Sequence, residues 1–263
     1  MKLCFSTLGC YDKEFDFILN LAKNNYISAL EIRGINNEMS NDKIAEFQDA
    51  NINNTIQQFK TNNIVPLILG TSCKFHKDDN RELMIEKSYK EMQIAKKLGF
   101  KSIRVFGDKI ENDDTVDKVA NALNTITNYA HDIGIKVYLE VHGDFNTIEV
   151  LERVLNKIEQ KDSFSLIWDI YHTHSKYGKN WKEFYLKMKP YITHVHIKDT
   201  VGKDLCLPGK GELEIISIMK YMLEDGYNGY FSLEWEKKWF PELDEFEVAL
   251  DHFIGLLKEN KLL

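Results

Sequence analysis

The sequence predicts an α/β fold, a single (β/α)8 TIM barrel, on three observations. Short β-branched or apolar runs alternate with longer segments of helical spacing, eight times along the chain. The 263 residues suit eight such units, which usually take about 250. No Gly/Ser-rich linker or low-complexity tract divides the chain, so one domain over 1–263 is expected. Regular strand–helix alternation calls for a parallel sheet with crossover helices. The runner-up, an open doubly wound sheet of Rossmann type, would want GxGxxG after its first strand. The chain has Ser6-Thr7-Leu8-Gly9-Cys10 there.

The expected strands are 2–6, 28–33, 64–70, 102–106, 135–142, 164–169, 192–198 and 230–235. Between them, Ile85, Tyr89, Met92 and Ala95 share one helical face, as do Val116, Val119, Leu123, Ile126 and Ala130. The last helix carries Phe246, Leu250, Phe253 and Leu257. Asp113, Asp114 and Thr115 are capping candidates for the fourth helix; Gly99 and Gly134 should stop the third and fourth. The Asn-rich connection 39–62 reads as two short helices.

Composition narrows the function. Hydrophobic residues at 43% and charged residues at 29% fit a soluble globule. A net charge of -7 opposes duplex-DNA binding, which depends on neutralising phosphates. No run of 18 apolar residues suggests a membrane span, and residues 1–11 are too short an apolar stretch for a secretory signal. Cys4, Cys10, Cys73 and Cys206 form no CxxC pair. They read as free thiols of a cytoplasmic protein.

The strands carry polar residues where a core would not. Side chains alternate faces along a strand. Val137, Leu139 and Val141 therefore oppose Lys136, Tyr138, Glu140 and His142, and Val195 and Ile197 oppose His194, His196 and Lys198. Phe231, Leu233 and Trp235 oppose Ser232, Glu234 and Glu236, and Asp169 lies opposite Trp168. Glu31, Arg33 and Arg104 follow the same pattern on the second and fourth strands. If the apolar faces pack on helices, the polar ones point into the barrel, where unpaired charge is costly. Some of these charges can pair among themselves, Glu31 with Arg33 or Arg104 for instance. As a set at the C-terminal strand ends, where barrel active sites sit, they point to function.

Glu140, Asp169, His196 and Glu234 end four successive expected strands. Three carboxylates and one imidazole suit Mn²⁺ or Mg²⁺, with Co²⁺ and Zn²⁺ as further candidates. The segments Leu139-Glu140-Val141-His142, Trp168-Asp169-Ile170-Tyr171-His172, His194-Val195-His196-Ile197-Lys198-Asp199 and Gly229-Tyr230-Phe231-Ser232-Leu233-Glu234-Trp235 resemble the sugar phosphate isomerase/epimerase family. This is the xylose isomerase-like barrel group, which also includes inosose dehydratases, hydroxypyruvate isomerase and endonuclease IV. The resemblance covers nearly the whole chain. It implies one divalent metal ion on Glu140, Asp169, His196 and Glu234, and it assigns His172, through DxxH spacing, to substrate. Ketose 3-epimerases of the group usually follow the metal His with a substrate-holding Glu and Arg. Lys198 and Asp199 stand here instead, so the reaction subclass stays open.

The resemblance implies proton transfer beside a carbonyl through a metal-stabilised enediolate. Glu140 and Glu234 would move the proton, while His142, His172 and Lys198 would bind oxygens of a small sugar, polyol or sugar phosphate. A dehydratase of the inosose type is the near alternative on the same site. An endonuclease IV-like phosphodiesterase would want more His ligands and a basic surface, and a metal-free carbohydrate-binding module would not need four inward acids and imidazoles. His194 could line the site or hydrogen-bond a ligand. Gly209-Lys210-Gly211 reads as a plain turn before a phosphate grip. Trp239 and Phe240 are candidates for walling the pocket, for a subunit contact in a homo-oligomer, or for packing on their own barrel. Cys73 and His76 receive no role.

Overall fold

The structure, a computed structural model, describes residues 1–263. Eight parallel strands, β1 (Lys2–Ser6), β2 (Ala29–Ile32), β3 (Val65–Lys74), β4 (Ser102–Asp108), β5 (Lys136–Gly143), β6 (Phe164–Asp169), β7 (Ile192–Ile197) and β10 (Tyr230–Leu233), close into a barrel in the order β1-β10-β7-β6-β5-β4-β3-β2, as the alternation predicts. The chain falls into two compact units, Met1–Pro66 with Thr193–Leu263, and Leu67–Ile192.

In the first unit, β1 (Lys2–Ser6) pairs with β2 (Ala29–Ile32) and with β10 (Tyr230–Leu233), and β10 pairs with β7 (Ile192–Ile197). Helices α1 (Phe15–Asn24), α2 (Ile52–Thr61), α8 (Ile215–Glu224) and α9 (Phe246–Glu259) accompany them. The face expected of the last helix is the buried one: Phe246, Leu250, Phe253 and Leu257 are fully buried, and Phe246 meets Phe5 edge-on at 4.8 Å. The connection 39–62 holds a 3-10 turn at Ala45–Phe47 before α2, close to the expected pair of short helices.

The second unit runs through β3 (Val65–Lys74), which begins in the first unit, then β4 (Ser102–Asp108), β5 (Lys136–Gly143) and β6 (Phe164–Asp169). Between them lie α3 (Arg81–Leu98), α4 (Thr115–Ile133) and α5 (Ile148–Lys157). Gly99 and Gly134 end α3 and α4 at φ 82° and 75°, the left-handed turn that glycine adopts without a Cβ penalty. The expected caps of α4 act differently. Asp114 makes no side-chain cap, whereas the Thr115 hydroxyl accepts from the Glu111 and Asn112 amides.

Three features depart from the expected pattern. The connection after β6 holds two helices, α6 (Ile170–Tyr177) and α7 (Trp181–Met188), split at Gly178. A hairpin of β8 (Asp199–Val201) and β9 (Asp204–Cys206) follows β7. Strand β3 runs four residues past its expected end, with a register irregularity between Gly70 and Lys74. All four cysteines are free. No helix is long and apolar enough to cross a membrane.

Candidate functional site

In the first unit, the inward positions of β2, β7 and β10 converge on one carboxylate. Ser6 pairs in register with Glu31, and His196 with Ser232. His194 Nε2 lies 2.6 Å from Glu31 Oε1, and His196 Nε2 lies 3.0 Å from Glu31 Oε2. The Ser232 hydroxyl donates to Glu31 Oε1. All four residues are buried. The pairing of Glu31 with Arg33 or Arg104, offered as one reading of the sequence, is therefore corrected. Strand β2 ends at Ile32, so the alternation that would place Arg33 beside Glu31 ends too. The Arg33 guanidinium reaches instead to the Met39 carbonyl, at 3.4 Å.

The other ring nitrogen of His196, Nδ1, lies 3.3 Å from Glu234 Oε2. Glu234 follows β10 directly, and its amide donates to the Ile197 carbonyl. Lys198 is buried, with its ammonium 2.6 Å from Glu234 Oε2 and also on Glu236. Burial opposes charge on Glu31 and on His196, but each is overruled by its partners. His196 and His194 hold the Glu31 carboxyl well below the usual range. Glu234 and Glu31 hold His196 well above the usual imidazole range. His194 goes the other way: burial lowers it despite Glu31.

In the second unit, Arg104 on β4 points along the same face as Glu140 on β5. Arg104 Nη1 lies 3.1 Å from Glu140 Oε2, both buried. Asp169 closes β6 and caps α6: its Oδ1 accepts from the amides of Tyr171 at 2.9 Å and His172 at 3.3 Å. Capping spends one carboxylate oxygen on the helix start and directs Oδ2 toward His172 Nε2, 3.8 Å away. His142 and His172 lie ring to ring at 4.0 Å, and ligand atoms of Glu140, His142 and His172 lie within 4.8 Å of one another. Asp108, at the end of β4, faces Lys74 at 3.1 Å, His76 at 3.6 Å and His142 at 3.9 Å. Beside it opens a cleft of about 510 Å³ lined by Lys74, His76, Lys77, Asp108 and Lys109.

The Asp199 carboxylate is occupied within its own loop. Its Oδ1 accepts from the Thr200 and Leu213 amides, and its Oδ2 from Gly209 and Gly211, at 2.8–3.1 Å. The turn at Gly209-Lys210-Gly211 thus spends its two glycine amides on a carboxylate of this chain and the Lys210 amide on the Leu207 carbonyl, which favours the plain-turn reading over a phosphate grip. Trp239 and Phe240 stand exposed at 53% and 39%.

The residues that sequence reading left without a site role are Glu31, Arg104, Asp108 and Glu236. Inward alternation flagged Glu31, Arg104 and Glu236, but nothing local names the partner each meets.

Comparison with known proteins agrees with this architecture. The family model described as xylose isomerase-like TIM barrel matches residues 25–256. An inosose isomerase of Halalkalibacterium halodurans is 26% identical over 261 residues, covering 89% of this chain and 87% of its own. The crystal structure of the IOLI protein with a binding zinc atom superposes with a TM-score of 0.78 at 22% identity, over 100% of this chain and 97% of that one. The probable 3-DHS dehydratase AsbF of Bacillus anthracis superposes with a TM-score of 0.82 at 14% identity, over 98% of this chain and 99% of that one.

Proposed function

This chain belongs to the xylose isomerase-like TIM barrel family, and from that premise we propose that it is a divalent-metal-dependent isomerase or epimerase of a small sugar or polyol. One observation carries the reading: ligand atoms of Glu140, His142 and His172 lie within 4.8 Å of one another, with Glu140 buried. Glu140, together with Asp169, His196 and Glu234, makes up the set proposed to hold the ion. The donor set fits a hard or borderline dication. When bound, such an ion polarises a substrate carbonyl as a Lewis acid and acidifies the neighbouring C–H.

The chain's own residues supply the rest. Glu140, with Oε2 tied to Arg104, is a carboxylate oriented by a fixed cation. Glu234, with Oε2 on Lys198, is the second. One accepts a proton from carbon on one side of the substrate and the other returns it on the opposite side. His142 and His172, ring to ring beside Glu140 and partly exposed, hold substrate hydroxyls. Lys198, with its ammonium 2.6 Å from Glu234 Oε2, stands near the oxygen that gains charge.

The test is product formation and isotope exchange from ketoses and inososes in D₂O with added Mn²⁺. Deuterium entering at one carbon without loss of water supports isomerase or epimerase. Loss of water supports the dehydratase alternative, which needs the same first proton transfer. Turnover by Glu140→Gln and Glu234→Gln should fall about 10²–10⁴-fold. Near-normal turnover of both, with metal retained, would sink the two-carboxylate scheme.

A further inference from the structure

We infer that Glu31 is the positioning residue of the candidate metal centre: it fixes which nitrogen of His196 faces the metal. The inference rests on the proposed metal reading for His196 and adds a residue from the far side of that ring.

An ionised carboxylate only accepts hydrogen bonds. Three groups converge on Glu31: His194 Nε2, His196 Nε2 and the Ser232 hydroxyl. Each must therefore donate. A metal-bound His196 then keeps its proton on Nε2, and Nδ1 is the nitrogen that offers the lone pair. Nδ1 is also the nitrogen on the Glu234 side, 3.3 Å from Oε2. The opposite tautomer would set a bare nitrogen against Glu31 Oε2 and a proton in the ligand position. Glu31 thus selects the ligating tautomer through a contact of 3.0 Å. A carboxylate behind a metal-binding imidazole acts in this way by fixing ring orientation and raising ligand basicity.

The rest of the network keeps Glu31 in place. His194 and Ser232 both hold Oε1, which leaves Oε2 to His196. The same count explains His194. Its Nε2 is spent on Glu31, and its Nδ1 is buried without a hydrogen-bond partner. Cys4, Glu31 and His194 bring three ligand atoms within 4.8 Å of one another. The Cys4 thiol, however, is driven well above its usual range by burial and then by the Glu31 charge, and metals take the thiolate. That trio therefore reads as part of the support for Glu31.

The experiment uses ¹¹³Cd²⁺ as the probe with the full chain labelled with ¹⁵N-histidine. In the wild type, cadmium–nitrogen coupling should fall on His196 Nδ1, with the ring proton on Nε2. Glu31→Gln keeps the shape but can turn an amide N–H toward Nε2 and so favour the wrong tautomer. Cadmium affinity, read by titration, should then drop about 10–100-fold. Glu31→Asp, which keeps a carboxylate acceptor, should recover part of that loss and serves if the Gln variant does not fold. Coupling on Nε2 would overturn the inference. So would unchanged affinity in the Gln variant, or in the Asp variant an affinity no better than in a folded Gln variant. Absence of coupling to any histidine would instead sink the metal reading itself, which separates the two failures.

Discussion

Removing the carboxylate of Asp199 should release the loop after β7. That carboxylate is fully buried and accepts from four backbone amides, those of Thr200, Gly209, Gly211 and Leu213. In Asp199→Ala, the amides of Thr200 and Leu213 stay buried and lose their acceptor, at about 1–3 kcal/mol each. Gly209 is exposed and Gly211 half-buried, so their amides turn to water at a smaller cost. The total is about 3–6 kcal/mol of local stability. Asp199→Asn keeps one oxygen for the buried pair and should lose only about 1–2 kcal/mol. Lys203 and Lys210 are exposed on this loop, so trypsin reads the opening. When reclosing outpaces cleavage, the rate follows the open population, and about 1.4 kcal/mol is tenfold. Cleavage there should rise about 100-fold or more for Ala and about tenfold for Asn. Cleavage of Asp199→Ala within threefold of the wild type would refute the reasoning.

Two further outcomes follow from burial and packing. The Cys206 thiol is pushed up to about 11, by burial first and then by the charges of Asp199 and Glu212. The thiolate is the reactive form and an ordinary thiol sits near pKa 8.5, so at pH 8 alkylation of Cys206 should be on the order of 100-fold slower in the folded protein than in urea. It should also rise about tenfold per pH unit toward 11; a rate already level at pH 9 would contradict this. Gly107→Ala would put a Cβ 2.3–2.5 Å from three ring atoms of Phe145, which is fully buried. Overpacking of this kind costs about 1–3 kcal/mol, or roughly 2–10 °C in melting temperature. Phe145→Leu in the same chain should recover part of the loss, and an unshifted Gly107→Ala would show that the ring moves freely.

The barrel was legible because each strand writes its two faces in alternate letters. Val137, Leu139 and Val141 against Glu140 and His142 state both that β5 is a strand and which end bears chemistry. The same alternation singled out His194, His196 and Glu31. It could not pair them, since Glu31 meets His194 and His196 across 163 and 165 residues of chain. Nor could it assign Arg104, whose partner Glu140 lies on the next strand. Asp199 was misleading for a different reason. Read beside Lys198, it stands where a substrate contact was wanted, yet its carboxylate faces the amides of its own loop. The split between α6 and α7 at Gly178 and the short hairpin at Asp199–Cys206 were hidden because neither has enough residues to set up a period.

Glu140, Asp169, His196 and Glu234 are proposed to hold one divalent cation. Calorimetric titration of the metal-stripped protein with Mn²⁺, beside His196→Ala and Asp169→Asn, tests this most directly. The account predicts one ion per wild-type chain and a sharp loss of affinity in both variants, whose folds are checked by circular dichroism. A wild type that takes up no ion, or folded variants that bind as tightly as the wild type, would contradict it.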